Sequence, residues 1–195
     1  MARPAAIGAG FQSVLFADIR SAEDVRACIR AVRPDTPTGG GSYGAADRRN
    51  SFWSEAATAG YITALEEIVV VAMIEKHEAV DQLDEILAVP GLDMIQWGPA
   101  DYAMSIGRPG GWYDAEVRAV ERDVLAWSLA AGIQPRAEIT DPEDAGTTSI
   151  SGSATSASGP MSTSSTPGST SAAGSWPRSW ARSDVADREA EGSTR

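Results

Sequence analysis

Two short apolar runs, each closed by a carboxylate, limit what this chain can fold into more than any other feature. They read Val69-Val70-Val71-Ala72-Met73-Ile74-Glu75 and Leu92-Asp93-Met94-Ile95-Gln96-Trp97-Gly98-Pro99-Ala100-Asp101. Between them, residues 78–88 place Val80, Leu83 and Leu87 on one helical face and acids on the other. A strand–helix–strand unit of this kind sets its strands parallel and side by side. Glu75 and Asp101 then emerge at the same, C-terminal edge of the sheet, the edge that carries the chemistry in α/β barrels. Two carboxylates from neighbouring strand ends suit a hard divalent cation, Mg²⁺ or Mn²⁺, with water and substrate oxygens completing its shell. The plainer alternative makes Glu75 a loop carboxylate and Asp101 a helix N-cap.

The same alternation extends to both sides of this unit. Val14-Leu15-Phe16 reads as a short buried strand. Ser21 follows as an N-cap with Asp24 in the first turn, and Val25, Cys28, Ile29 and Val32 form an apolar stripe that Pro34 and Pro37 end. Residues 38–44, with three consecutive glycines, read as a flexible loop without a nucleotide-binding pattern. Arg48 and Arg49 come next, as an anion or interface contact or simply a solvated basic pair. Further helices are expected over 54–67 and 114–131, the latter striped by Val117, Val120, Val124 and Trp127 and closed by Gly132. Strands are expected at 69–74, 93–97 and 134–139. Asp141-Pro142-Glu143-Asp144 has the form of a helix start. That helix has no body: residues 146–175 are Ser, Thr, Gly, Ala and Pro except for Ile150 and Met161. Such a composition cannot offset the entropy of ordering, so two parts are expected, a folded domain over 1–145 and a disordered low-complexity tail over 146–195. The abrupt loss of periodicity also suggests a shifted reading frame in place of a barrel's last elements.

Composition narrows the partners. With 195 residues, one domain is expected. The formal charge of −11 speaks against nucleic acid or an anionic membrane. All of it belongs to residues 1–145, because the charges beyond them cancel. No apolar run is long enough to span a bilayer and no basic-then-apolar leader opens the chain, which points to the cytoplasm. The single cysteine, Cys28, excludes an internal disulfide and reads as a core residue.

Met73-Ile74-Glu75, Leu83-Asp84-Glu85-Ile86-Leu87-Ala88-Val89-Pro90-Gly91 and Gly98-Pro99-Ala100-Asp101 closely resemble the metal-dependent class II pyruvate aldolases. These are the hydroxy-oxo-acid aldolases and citrate-lyase β-subunits of the phosphoenolpyruvate/pyruvate barrel superfamily. The resemblance runs from about residue 10 to 145 and includes residues 13–19 with Ser21-Ala22-Glu23-Asp24. It implies a partial (β/α)₈ TIM barrel, about strands four to seven, truncated at both ends. It further implies Glu75 and Asp101 as ligands of Mg²⁺ or Mn²⁺. Pyruvate would chelate that ion, which stabilises its enolate while a 2-oxo-4-hydroxy acid is cleaved to, or formed from, pyruvate and an aldehyde. The N–H groups of Ala100 and Asp101 would hold the pyruvate carboxylate, with Gly98 and Pro99 shaping the turn, and intact relatives would be homo-oligomers.

Three departures qualify that expectation. The family's catalytic histidine and arginine lie on early strands that have no counterpart here, and His77, the only histidine, reads as a surface residue at a helix start. Met73 stands where the family often has glutamine, which removes one substrate hydrogen bond. The chain is therefore expected to hold metal weakly and turn over little. Two alternatives remain. One is a non-catalytic barrel fragment that associates with full-length relatives. The other is a Schiff-base aldolase using Lys76, the only lysine, although strand alternation would direct Lys76 away from Glu75.

Overall fold

A computed structural model of the chain describes residues 5–45 and 56–136. Arg48, Arg49, the helix start at Asp141 and everything in the expected tail lie outside the described residues.

The elements follow the order α1 (Ala5–Gly8), β1 (Ser13–Phe16), α2 (Ala22–Val32), α3 (Ala59–Glu66) and β2 (Val69–Ile74). They continue with α4 (His77–Asp81), α5 (Leu83–Leu87), β3 (Met94–Trp97), α6 (Pro99–Ser105), α7 (Ala115–Ala130) and β4 (Gln134–Arg136). The four strands form one sheet in the order β1-β2-β3-β4, and each neighbouring pair is parallel. Sequence order equals spatial order, as in one arc of a (β/α)₈ barrel.

Strand alternation sorts the sheet into two faces. Val70, Ala72, Ile74, Ile95 and Trp97 point into the helix layer, where they pack with Val25, Leu65, Leu83, Ile86, Val117 and Val124 as one core. Leu15, Val71, Met73, Met94 and Gln96 occupy the other face, and the register sets Met73 opposite Gln96. Leu15 is 41% exposed on that face.

Local sequence explains most boundaries. Ser21 caps α2 through a complete capping box with Asp24, which satisfies the N–H groups of Ser21 and Asp24. Thr58 caps α3, which begins at Ala59 and is shorter than the expected 54–67. The helix expected over 78–88 is two short helices, because Gln82 leaves helical geometry (φ −112°, ψ 21°). Asp93 accepts the Val70 N–H at 2.7 Å and lies 3.6 Å from Arg33 Nη2, while Arg33 Nη1 donates to the Ile68 carbonyl at 2.7 Å. This cluster ties α2 to the entry of β2 and β3.

The glycine run is not the free loop expected over 38–44. Gly41, Ser42 and Tyr43 donate backbone N–H bonds to Pro34, Arg30 and Arg33, and Tyr43 is buried. A Cβ at Gly41 would sit 1.9 Å from the Arg33 carbonyl oxygen, so glycine here permits close backbone approach rather than mobility.

Candidate active site

The parallel pairing brings the ends of β1, β2 and β3 to one edge. Glu75 directly follows β2 and is 3% exposed. Gly98 follows β3 and is the N-cap residue of α6, with Pro99 at its first position and Asp101 in its first turn. No side chain caps this helix. Asp101 is therefore not an N-cap. Its side chain is half exposed and pairs with Lys76.

Glu75 is unusual for a carboxylate. Burial of a charged group is costly unless it is paired, hydrogen-bonded or bound to a metal. Among the described residues its carboxylate has one hydrogen bond, accepted by Oε1 from the Asp18 N–H at 2.7 Å. Asp18 can aim that N–H because its backbone is left-handed (φ 57°), a conformation that aspartate tolerates better than most residues. On the other side, a Cβ on Gly98 would lie 2.8 Å from Glu75 Cβ, 2.9 Å from Met73 Cε and 3.0 Å from Glu75 Oε2. Gly98 thus lets the β3–α6 turn approach Glu75 and the Met73 methyl more closely than a residue with a Cβ could. Trp97 and Tyr102 stack with ring centroids 4.8 Å apart and fix the start of α6 against β3.

Lys76 lies beyond the reach of strand alternation. Alternation would turn it away from Glu75 had the strand continued, but β2 ends at Ile74 and Lys76 is the residue before α4. Its Nζ lies 3.0 Å from Asp18 Oδ1 and 3.4 Å from Asp101 Oδ1. Hydrogen bonding to Asp18 raises the Lys76 pKa above its usual 10.5; the Asp101 carboxylate adds to this, while partial desolvation opposes it. Lys76 is therefore ammonium at neutral pH. Asp18 is the residue of this cluster that sequence reasoning did not single out, and Lys76 was singled out only as a Schiff-base candidate. The available signal was that Asp18 lies two residues beyond β1, level with the end of β2.

His77 lies at the edge of the cluster, with Nδ1 3.1 Å from Glu78 Oε2 and its backbone N–H donated to Ser105 Oγ. Among the described residues, no three His, Cys, Asp or Glu side chains form a complete metal-ligand set. Two carboxylates alone would leave further coordination positions to substrate and water, as is common for Mg²⁺.

Fold and edge together define an α/β-barrel type of protein with an acidic site on the C-terminal rim of its sheet. The chain belongs to the HpcH/HpaI aldolase/citrate lyase family, whose pattern matches residues 2–161 and so runs past the expected limit at 145. It is 36% identical over 127 residues to a hydroxypyruvate/pyruvate aldolase of Roseovarius nubinhibens, covering 65% of this chain and 48% of that one. A 4-hydroxy-2-oxo-heptane-1,7-dioate aldolase of Klebsiella pneumoniae is 34% identical over 127 residues, covering 65% and 47%. Among solved structures, an HpcH/HpaI aldolase/citrate lyase family protein from Burkholderia cenocepacia superposes with a TM-score of 0.64 at 28% identity, covering 73% of this chain and 56% of that one. The chain spans about half the length of the curated relatives it matches. No helix among the described residues is long and apolar enough to cross a membrane.

Proposed function

We propose that this chain carries the metal- and oxo-acid-binding half of an aldolase site, for carbon–carbon cleavage or formation of 2-oxo-4-hydroxy acids, with pyruvate and an aldehyde as partners. The observation that carries this reading is Glu75: a carboxylate buried at the C-terminal end of β2 whose one hydrogen-bond donor among the described residues is the Asp18 N–H. Glu75 and Asp101 would hold Mg²⁺ or Mn²⁺. A divalent ion, when bound, supplies Lewis-acid stabilisation of the negative charge that develops on the oxo acid.

The chain's own groups do the rest. The first turn of α6 has no side-chain cap, so the Ala100 and Asp101 N–H groups can orient the carboxylate of an oxo acid. Gly98 and Pro99 shape that turn, and the Met73 methyl lies against Gly98. Asp18 fixes one Glu75 oxygen and leaves the other for the ion. His77, directed at Glu78, is poorly placed for proton transfer, so turnover by these residues alone is expected to fall short by roughly 10²–10⁴-fold, the usual worth of general acid–base help. The raised pKa of Lys76 weighs against a Schiff base, which needs a neutral amine. Assembly into homo-oligomers belongs to the same proposal, and the exposed Phe11 and Leu15 beside β1 are apolar surface available for it.

The test is pyruvate release from 4-hydroxy-2-oxo acids, with Mg²⁺ or Mn²⁺ and with chelator. Release should require the added ion and disappear in Glu75→Ala and Asp101→Ala. Release that persists in chelator, or a borohydride-trapped pyruvate adduct on Lys76, would replace the metal reading with the Schiff-base one.

A further inference from the structure

The carboxylate edge already holds a cation of the chain's own. Lys76 Nζ sits between Asp18 Oδ1 and Asp101 Oδ1, and its side chain is 12% exposed, against 73% and 50% for the two aspartates. The ammonium therefore meets both carboxylates from the protein side, while they remain open to water on the other. Among the described residues, these contacts are the ion pairs of Asp18 and Asp101. Through its N–H, Asp18 also holds Glu75, so the three acids and the lysine form one connected unit.

We propose that Lys76 is the resident counter-ion of this site, and that a divalent ion reaches Asp101 in competition with the Lys76 ammonium, which then stays on Asp18 alone. This rests on the reading of Glu75 and Asp101 as metal ligands. Three formal negative charges stand here against one positive. Without an ion, Lys76 offsets the mutual repulsion of the acids and keeps Asp101 in place. When an ion arrives, two cations share one carboxylate, and their repulsion weakens binding. A lysine suits this role because its compact ammonium has three donors on a flexible stem, so it can leave Asp101 while keeping Asp18. Lys76 is thus a positioning and affinity-setting residue, not a nucleophile.

Lys76 is the chain's only lysine, so [¹⁵N]lysine labelling of the full chain gives a single side-chain Nζ resonance. Titration with Mg²⁺ should shift that resonance in step with ion binding. By calorimetry, Lys76→Met should bind Mn²⁺ at least about tenfold tighter than the parent chain, the scale expected when one like charge a few ångströms away is removed. Lys76→Arg should remain near the parent, and measurable binding in Lys76→Met alone would also support the proposal. A resonance unmoved at saturating Mg²⁺, or Mn²⁺ binding by Lys76→Met that is unchanged, weaker or absent, overturns it while Asp101→Asn still lowers ion binding in the parent. If Glu75→Gln and Asp101→Asn leave ion binding unaltered, the metal reading itself fails and this proposal falls with it. Should Lys76→Met not fold, the Nζ titration of the unaltered chain decides alone.

Discussion

Gly98 is glycine because of what surrounds it, not because of its backbone, whose φ of −118° any residue can adopt. Adding one methyl would push on Glu75 Cβ, Met73 Cε and Glu75 Oε2 at 2.8–3.0 Å. Gly98→Ala is therefore expected to cost about 1–3 kcal/mol by overpacking and to lower Mn²⁺ binding. Urea unfolding and an ion titration of the same variant check both effects. Cys28 shows a different residue-scale effect. Burial, aided by the negative charge of Asp24, pushes its thiol from 9.0 up to about 11. A raised folded-state pKa means that the stabilisation is complete below pH 9 and is lost as pH rises from 9 towards 11, because the unfolded chain ionises first. The urea midpoint should fall across that window, and Cys28→Ala should flatten the fall.

At the scale of elements, the capping box and the Arg33–Asp93 cluster set where helices and strands begin. Ser21→Ala removes a side-chain acceptor from the α2 start and should cost about 0.5–2 kcal/mol, read from denaturant unfolding. Asp93→Ala strips the Val70 N–H of its partner and leaves Arg33, 13% exposed, without its carboxylate. A loss of about 1–3 kcal/mol is expected for such an unsatisfied group, with the largest rise in amide exchange at Val70. The capped α2, the strands β2 and β3 and the stripe of α7 were legible because each rests on local chemistry or strict periodicity. The break at Gln82 was not, since it interrupts a pattern that Val80, Leu83 and Leu87 satisfy either way. The pinned glycine loop was missed for a related reason: its bonds go to Arg30 in the last turn of α2 and to Arg33 and Pro34 just after it, which sequence spacing does not reveal. At the candidate site, the positions of Glu75 and Asp101 at the sheet edge could be read from strand ends, whereas the contacts of Lys76 with Asp18 and Asp101 depend on where β2 stops, which alternation does not give.

At the largest scale, the four parallel strands among the described residues run in sequential order and bring Asp18, Glu75, Lys76, Gly98 and Asp101 to one edge. The matched relatives are about twice as long as the segment they share with this chain. The central claim is that this edge is a divalent-ion site held by Glu75 and Asp101. Electron paramagnetic resonance of Mn²⁺ titrated into the full chain tests it most directly, with Glu75→Gln and Asp101→Asn as controls that keep size and remove charge. The account predicts one site per chain, lost in either variant and strengthened by pyruvate. Binding that is equal in the parent chain and both variants would contradict it.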